Sequence, residues 1–76
     1  MRAKIQITLK PAVLDPQGKA VQQALASLGF NEVKDVRVGK YIELELEKNS
    51  EERVKQMCEK LLANTVIESY RFEIEK

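Results

Sequence analysis

The sequence predicts an α+β fold, a two-layer sandwich in which two helices cover one face of a mainly antiparallel sheet. Segments with apolar residues at every second position, typical of strands with one buried face, occur near both ends and in the middle. Two intervening segments carry apolar residues at the helical spacing of three and four. The resulting order, β-α-β-β-α-β, is compatible with a ferredoxin-like strand order, which the pattern leaves open.

The first strand and the first helix come from the N-terminal part of the chain. Apolar and polar residues alternate from Ala3 to Leu9, which predicts a strand. Asp15 then precedes Pro16, and this pair is typical of an N-cap followed by proline at the first helical position. Gly29 is expected to end the helix, because glycine adopts the left-handed conformation without a Cβ clash. The apolar stripe of this helix comprises Val21, Ala24, Leu25 and Leu28.

The middle of the chain predicts a β-hairpin. Val36 and Val38 lie in one alternating segment, and the alternation resumes from Ile42 to Leu46. A two-residue turn would set the valines opposite the acidic face of the second strand. A three-residue loop over 39–41 sets them opposite Ile42 and Leu44 instead, and we prefer it because directly opposed residues share a face.

The second helix and the last strand follow. Asn49 and Ser50 are expected to end the preceding strand, with Ser50 as the N-cap of the helix and acidic residues in its first turn. Asn64 is a plausible residue just after the helix, and alternation from Glu68 onward predicts the last strand. The apolar stripe of this helix comprises Val54, Met57, Cys58, Leu61 and Leu62.

Length and charge limit the functional classes to which this protein can belong. The 76 residues suit one domain, residues 1–76, whose core is small enough for a partner to stabilise it. A formal net charge of +1 argues against a nucleic-acid binder and against a polybasic membrane-surface protein. No apolar run approaches the roughly 18–20 residues of a membrane-spanning helix. A cytoplasmic location is expected, and the single cysteine suits that reducing compartment.

Few residues are candidates for catalysis or metal binding. The sequence contains no histidine, which excludes His-based general bases and His metal ligands, and one cysteine excludes a CxxC site. Cys58 lies on an apolar stripe and is expected to be a core residue. Alternating acids at Glu43, Glu45 and Glu47 are more typical of a solvated or protected strand face than of a catalytic pair.

The remaining motifs favour structural roles. The pair Gly39-Lys40 is too short for a phosphate-binding loop and is expected to form a turn. The run Asp15-Pro16-Gln17-Gly18 is expected to begin a helix rather than to hold an anion. Gly18 is unusual within the first helical turn, and we hypothesise that it allows another chain or backbone to approach closely.

Three long segments carry a resemblance to a known family. They are KPAVLDPQGKAVQQALASLGF (10–30), VKDVRVGKYIELEL (33–46) and MCEKLLANTVIESY (57–70). In order and in register, they resemble PurS, the small subunit of phosphoribosylformylglycinamidine (FGAM) synthase, over essentially the whole chain. Ala12 stands where the family usually has glycine, and Thr65 where it usually has proline, so the local backbone of these two loops is where a difference is expected.

The resemblance implies a non-catalytic assembly subunit. The family enzyme acts in the fourth step of purine biosynthesis and converts formylglycinamide ribonucleotide to its amidine with ATP and glutamine. The small subunit has no active site of its own and bridges a synthetase subunit and a glutamine amidotransferase subunit, so that ammonia passes between them. The resemblance further implies a homodimer or higher homo-oligomer. No cofactor is expected on this chain, whereas the whole complex is expected to use ATP, Mg and glutamine.

The candidate contact residues are the motif positions within the three segments. Their expected role is partner contact or backbone shaping, and they are Asp15, Pro16, Gln17, Gly18, Arg37, Gly39, Lys40, Tyr41, Leu62, Ala63 and Asn64. Two alternatives remain at this point. A stand-alone dimeric sensor of ferredoxin-like type would bind a metabolite as the isolated chain, and a small enzyme using the acidic strand face would turn over substrate alone.

Overall fold

The computed structural model describes residues 1–48 and 50–75, and over those residues the chain forms three strands and two helices. They are β1 (Arg2–Leu9), α1 (Pro16–Ser27), β2 (Lys40–Glu45), α2 (Glu51–Met57), which continues directly into a π-helical segment (Cys58–Leu62), and β3 (Glu68–Glu75). The α+β class and the antiparallel sheet are confirmed. The strand end expected at Asn49 lies outside the described residues.

Strand β1 lies in the centre of the sheet, whose order is β2-β1-β3, and it pairs antiparallel with both neighbours. In this register Ile5 faces Ile42 on one side and Phe72 on the other. Because β1 has a neighbour along both edges, its core-facing residues Ala3, Ile5 and Ile7 are completely buried.

The core lies between the sheet and α2 with its π-helical extension. Val54 and Cys58 are fully buried, which confirms that Cys58 is a core residue. Of the predicted stripe, Leu61 does not face the core, because it is 82% exposed, whereas Leu62 packs against the core. The amide of Ala63 bonds the carbonyl of Cys58, five residues back. A π-helical turn has more residues than an α-helical turn, so Leu61 is rotated away from the core.

Helix α1 begins and ends as predicted, but its apolar stripe does not face the core. Asp15 caps its N-terminus, and Gly29 has a φ of +96° just beyond its C-terminal end. Among the described residues, those that form the core or pack against it include none from α1. The expectation that both helices cover the sheet is therefore met only by α2 within this chain.

The predicted hairpin is wrong. Val36 and Val38 belong to no strand, and β2 begins at Lys40 and pairs with β1. The backbone N–H of Val38 donates to the Asp15 carboxylate, and the Arg37 guanidinium donates to backbone carbonyl groups before α1. These bonds hold the segment against the start of α1, so it does not extend the sheet beyond β2.

The molecule is extended for its length. Its radius of gyration is 15.5 Å, and its principal extents are 47 × 26 × 14 Å. A compact domain of this length has a radius of gyration of about 11 Å. Over the described ranges, none of the helices has the length and apolar character needed to cross a membrane.

Candidate partner-contact site

Several candidate residues come together at one end of the sheet, where β1 ends and β2 and β3 begin. The loop after β1, the segment before β2 and the loop before β3 meet there. The structure brings together Asp15, Gln17, Gly18, Arg37, Gly39 and Lys40, which the sequence placed in two separate motifs. We call this region the loop junction.

The Asp15 carboxylate joins two of these segments. It is 5% exposed, and one oxygen accepts the backbone N–H of Gly18 while the other accepts that of Val38, both at 2.8 Å. The bonds from Val38 and Gly18, with a smaller contribution from the charge of Arg37, lower the pKa of the Asp15 carboxyl. Asp15 therefore acts as a helix cap and as a link to the segment before β2, and both oxygens are occupied.

Gly18 permits the close packing of this link. A Cβ at position 18 would lie 2.2 Å from the carbonyl oxygen of Val36 and 2.8 Å from Asp15 Oδ2. The close approach hypothesised from the sequence thus occurs, and the approaching backbone is that of the chain itself. Pro16 occupies the first helical position beside it, where its missing N–H is not needed.

Arg37 and Gly39 fix the segment before β2 against the end of β1. Nη2 of Arg37 donates to the carbonyl oxygens of Lys10 at 2.9 Å and Val13 at 3.2 Å. A Cβ on Gly39 would lie 2.3 Å from the carbonyl oxygen of Ile7. Gly39 is therefore a close-approach position and not the hairpin turn that the sequence predicted.

Glu68 connects Lys40 to the third group of candidate residues, Leu62, Ala63 and Asn64, and sequence reasoning did not single it out as a site residue. Its carboxylate lies 3.5 Å from Nζ of Lys40 and also accepts the backbone N–H of Asn64 at 2.7 Å. Glu68 is the first residue of β3 on the core-facing side, where Tyr70 and Phe72 follow. An acidic residue in an otherwise apolar phase is the sequence signal that could have identified it.

The third motif forms the loop that leads into β3. Asn64 follows the π-helical segment, and its side-chain oxygen accepts the N–H of Val66 at 3.2 Å. Ala63 is buried at 6% exposure, and Leu62 packs against the core. These residues shape the loop, and Glu68 carries the connection to Lys40.

A concavity of about 260 Å³ opens at the loop junction. Its polar rim includes the side chains of Gln17, Lys40 and Glu68, and Gly39 lies in its wall. The side chain of Lys40 is 56% exposed, so its charge is available to a partner surface. The concavity therefore combines a well-anchored backbone with an exposed polar rim.

Tyr41 lies away from the loop junction, on the opposite face of the sheet. Its hydroxyl donates to Glu43 at 2.9 Å, and burial together with Glu43 raises the pKa of Tyr41. Glu43 also pairs with Arg2 at 3.5 Å, and Lys4 pairs with Glu75 at 2.8 Å. Glu43 and Glu75 thus belong to surface ion pairs, as expected for a solvated strand face.

Cys58, the one thiol, does not reach the loop junction. The residue is fully buried, and this burial, followed by the nearby Glu59, raises the pKa of its thiol. A raised pKa disfavours the nucleophilic thiolate. The described residues hold no group of three or more Cys, Asp or Glu side chains arranged for a metal ion.

Comparison with known proteins identifies relatives along the whole chain. A family model described as "PurS: Phosphoribosylformylglycinamidine (FGAM) synthase" matches residues 2–76. The FGAM synthase subunit PurS of Bacillus subtilis is 59% identical over 78 residues, which cover 99% of this chain and 93% of that protein. The PurS subunit of Methanocaldococcus jannaschii is 47% identical and covers 99% and 95%.

Solved structures also resemble this chain over nearly its whole length. The chain of B. subtilis PurS in its C2 crystal form superposes with a TM-score of 0.91 at 59% identity, covering 99% of this chain and 98% of that one. A chain of the structure described as PurLQS from Thermotoga maritima superposes with a TM-score of 0.82 at 34% identity, covering 95% and 93%.

Proposed function

The chain belongs to the PurS family of FGAM synthase subunits, and from this premise we propose that it is a non-catalytic assembly subunit. In this proposal it bridges the synthetase and the glutamine amidotransferase and supports the transfer of ammonia between them. The similarity to a chain of PurLQS carries the proposal, because that structure is one of an assembly. The relatives do not favour a stand-alone sensor.

The chemistry of the chain's own residues supports an assembly role. The polar groups of the loop junction bond one another: the Asp15 carboxylate accepts two N–H groups and the Arg37 guanidinium donates to carbonyl oxygens. Such groups fix a surface in one shape, and a pre-formed surface lowers the cost of binding a partner. We propose that the complex uses ATP, Mg and glutamine and binds them outside this chain. We also propose that the complex works in the cytoplasm.

The partner contact is proposed at the rim of the loop junction. Lys40 and Gln17 expose their side chains there, while Asp15, Gly18 and Gly39 shape the backbone below them. We further propose that the chain works as a homodimer or higher homo-oligomer. Burial of additional apolar surface between copies would stabilise so small a core.

The experiment compares two nitrogen sources in the reconstituted complex. FGAM synthesis is measured with glutamine and with a high concentration of ammonium, each with and without this chain. Free ammonia reaches the synthetase by diffusion, whereas glutamine-derived ammonia needs the amidotransferase docked correctly. Omission should abolish the glutamine-dependent rate and spare much of the ammonium-dependent rate. Equal loss with both nitrogen sources would contradict the delivery role, since the chain would then be needed for the synthetase itself.

Variants at the rim locate the contact. Lys40→Glu and Gln17→Glu should lower the glutamine-dependent rate at limiting subunit concentration, because a reversed or added charge weakens association. Lys55→Glu on α2 and Gln23→Glu on α1 make the same charge changes at exposed positions away from the loop junction. Equal effects of the rim variants and their controls would show that the contact lies elsewhere.

A further inference from the structure

The charge that the concavity of the loop junction exposes is that of Lys40. Its side chain is 56% exposed, whereas the side chain of Glu68 is 15% exposed and Asp15 is 5% exposed. The two carboxylates therefore lie below the surface that an approaching molecule meets, and the ammonium group lies on it.

Both carboxylates are also engaged within the chain. Oε1 of Glu68 accepts the backbone N–H of Asn64 at 2.7 Å, and Oε2 lies 3.5 Å from Nζ of Lys40. Each oxygen of Asp15 accepts a backbone N–H of the chain. An incoming cation would compete for oxygens that already have donors, so the concavity is poorly suited to a basic side chain.

Lys40 and Gln17, by contrast, have hydrogen-bond donors to spare. An ammonium group carries three N–H donors, and among the described residues Glu68 is the one ion-pair partner of Lys40. Gln17 is the second residue of α1 and is exposed, and its side-chain amide carries two more donors. The N-terminal end of α1 adds a partial positive charge beside them. The rim of the concavity therefore favours a negatively charged group with acceptor oxygens.

The concavity between these donors has apolar walls. Ile7, Leu9 and Val38 contribute to its lining, and Leu9 and Val38 are half-buried. Its volume of about 260 Å³ corresponds to about nine water molecules at about 30 Å³ each, which is ample for one side chain. A short apolar stem that ends in a carboxylate matches both the walls and the rim.

A neutral apolar side chain would not match this site. It would remove water from the ammonium group of Lys40 without supplying an acceptor, and burial of a charged donor without a partner is unfavourable. A carboxylate instead forms a charge-assisted hydrogen bond with an ammonium group, which is stronger than a hydrogen bond between neutral groups. Charge complementarity thus selects an acidic partner residue.

We propose that the concavity of the loop junction binds an aspartate or glutamate side chain of the synthetase or the amidotransferase, with Lys40 and Gln17 as the donors to its carboxylate. This inference rests on the proposed function and deepens it by naming the chemistry of the partner residue. The wall of the site is fixed before docking, because Gly39 lies directly against the carbonyl oxygen of Ile7 and Glu68 holds the loop that leads into β3.

Titration of the chain against the other two subunits, at several salt concentrations, tests the role of Lys40. Lys40→Met keeps an unbranched side chain and removes the charge. It should weaken docking about 10-fold or more and make docking less dependent on salt, because an ion pair across the interface is lost. Lys40→Arg keeps the charge and should retain most of the affinity.

A matched control removes a charge elsewhere. Lys55 is exposed on α2, away from the loop junction, and Lys55→Met should change neither the affinity nor its salt dependence. Circular dichroism establishes that each variant is folded. A folded Lys40→Met protein that docks like the wild type would overturn the inference, as would an equal loss in the Lys55→Met protein.

Carbodiimide crosslinking identifies the acidic residue. This reagent joins a lysine amine to a carboxylate in direct contact with it, so the assembled complex should yield Lys40 joined to an aspartate or glutamate of one partner subunit. A lysine substituted for that acid, combined with Lys40→Glu, should restore the docking that either change alone weakens. Lys40 joined only to Glu68 or to a second copy of this chain would contradict the inference.

Failure of this inference is distinct from failure of the proposed function. The assembly role is tested by omission of the whole chain and by the glutamine- and ammonium-dependent rates. If omission abolishes the glutamine-dependent rate while the Lys40→Met protein docks normally, the assembly role stands and the acidic contact is refuted. If omission lowers both rates equally while docking still depends on the charge of Lys40, the delivery role fails and the acidic contact is supported.

Discussion

Replacing Gly18 with alanine tests the close packing at the start of α1. Helix propensity predicts that the change stabilises the protein, since the helical state is more favourable for alanine than for glycine by at most about 1 kcal/mol per residue. The tertiary structure predicts the opposite sign. The new Cβ would lie 2.2 Å from the carbonyl oxygen of Val36, which is backbone and cannot rotate away.

The magnitude follows from the shift that the contact requires. Ordinary Cβ contacts begin near 3.4 Å, so the Val36 oxygen must retreat by about 1.2 Å. That movement pulls against the bond between Val38 and Asp15, which anchors the same segment. Overpacking costs about 1–3 kcal/mol, and a 2.2 Å contact with a backbone oxygen belongs in the upper part of that range, at about 2–3 kcal/mol. After a helix-propensity gain of about 1 kcal/mol, the net loss of unfolding free energy is about 1–2 kcal/mol. For a domain of this size the melting temperature should fall by about 4–16 °C.

Urea unfolding followed by circular dichroism measures this loss, with all proteins at one concentration because self-association contributes to stability. Ala20→Gly, two residues away on the exposed surface of α1, measures the helix-propensity contribution alone and should cost about 1 kcal/mol or less. The amide of Val38 should also exchange faster in the Gly18→Ala protein. A variant as stable as the wild type, with Val38 still protected, would refute the packing argument.

Three further predictions concern the other anchored groups. The folded state lowers the pKa of Asp15 from 3.8, so this carboxyl binds fewer protons in the folded state than in the unfolded state; the stability that it contributes is present above pH 3.8 and is lost as the pH falls through the folded pKa. An acid titration of Asp15→Asn should lack that component. The variant should also be less stable at pH 7, since asparagine has one acceptor oxygen where Asp15 has two and cannot accept the N–H groups of both Gly18 and Val38. Cys58→Ala should cost about 1 kcal/mol or more through lost packing, yet the folded variant should support full activity of the complex; a folded but inactive complex would show a role for the thiol. A double-mutant cycle between Lys40 and Glu68 should give a coupling energy below about 1 kcal/mol, because the pair is partly exposed; a larger value would indicate a more rigid junction than the structure shows.

The local sequence was sufficient for elements whose signal lies within a few residues. Alternation predicted β1 and β3, the Asp15-Pro16 pair predicted the start of α1, and Gly29 predicted its end. Each of these depends on backbone geometry and capping bonds between near neighbours. The buried position of Cys58 was also predictable from its place on an apolar stripe, because α2 packs one face on the sheet.

The prediction of a strand at Val36 and Val38 was wrong because the alternation of apolar and polar residues there is compatible with two environments. Two valines at every second position suit an edge strand and equally suit a segment fastened by other bonds. Arg37 and Asp15 decide between them, and their partners lie 23 to 28 positions away in the sequence. No local pattern contains such a pairing.

By itself the sequence determined the α+β class, the family, and the lack of histidine and of a second cysteine. Periodicity, long motifs and composition are properties of the chain alone. Only the tertiary structure decided that α1 stands off its own sheet and that Glu68 joins Lys40 to Asn64. An apolar stripe indicates which face of a helix favours burial but carries no information about where the helix lies relative to the sheet. The position of α1 depends on bonds between distant segments at the loop junction, and these bonds hold the helix away from this chain's own core.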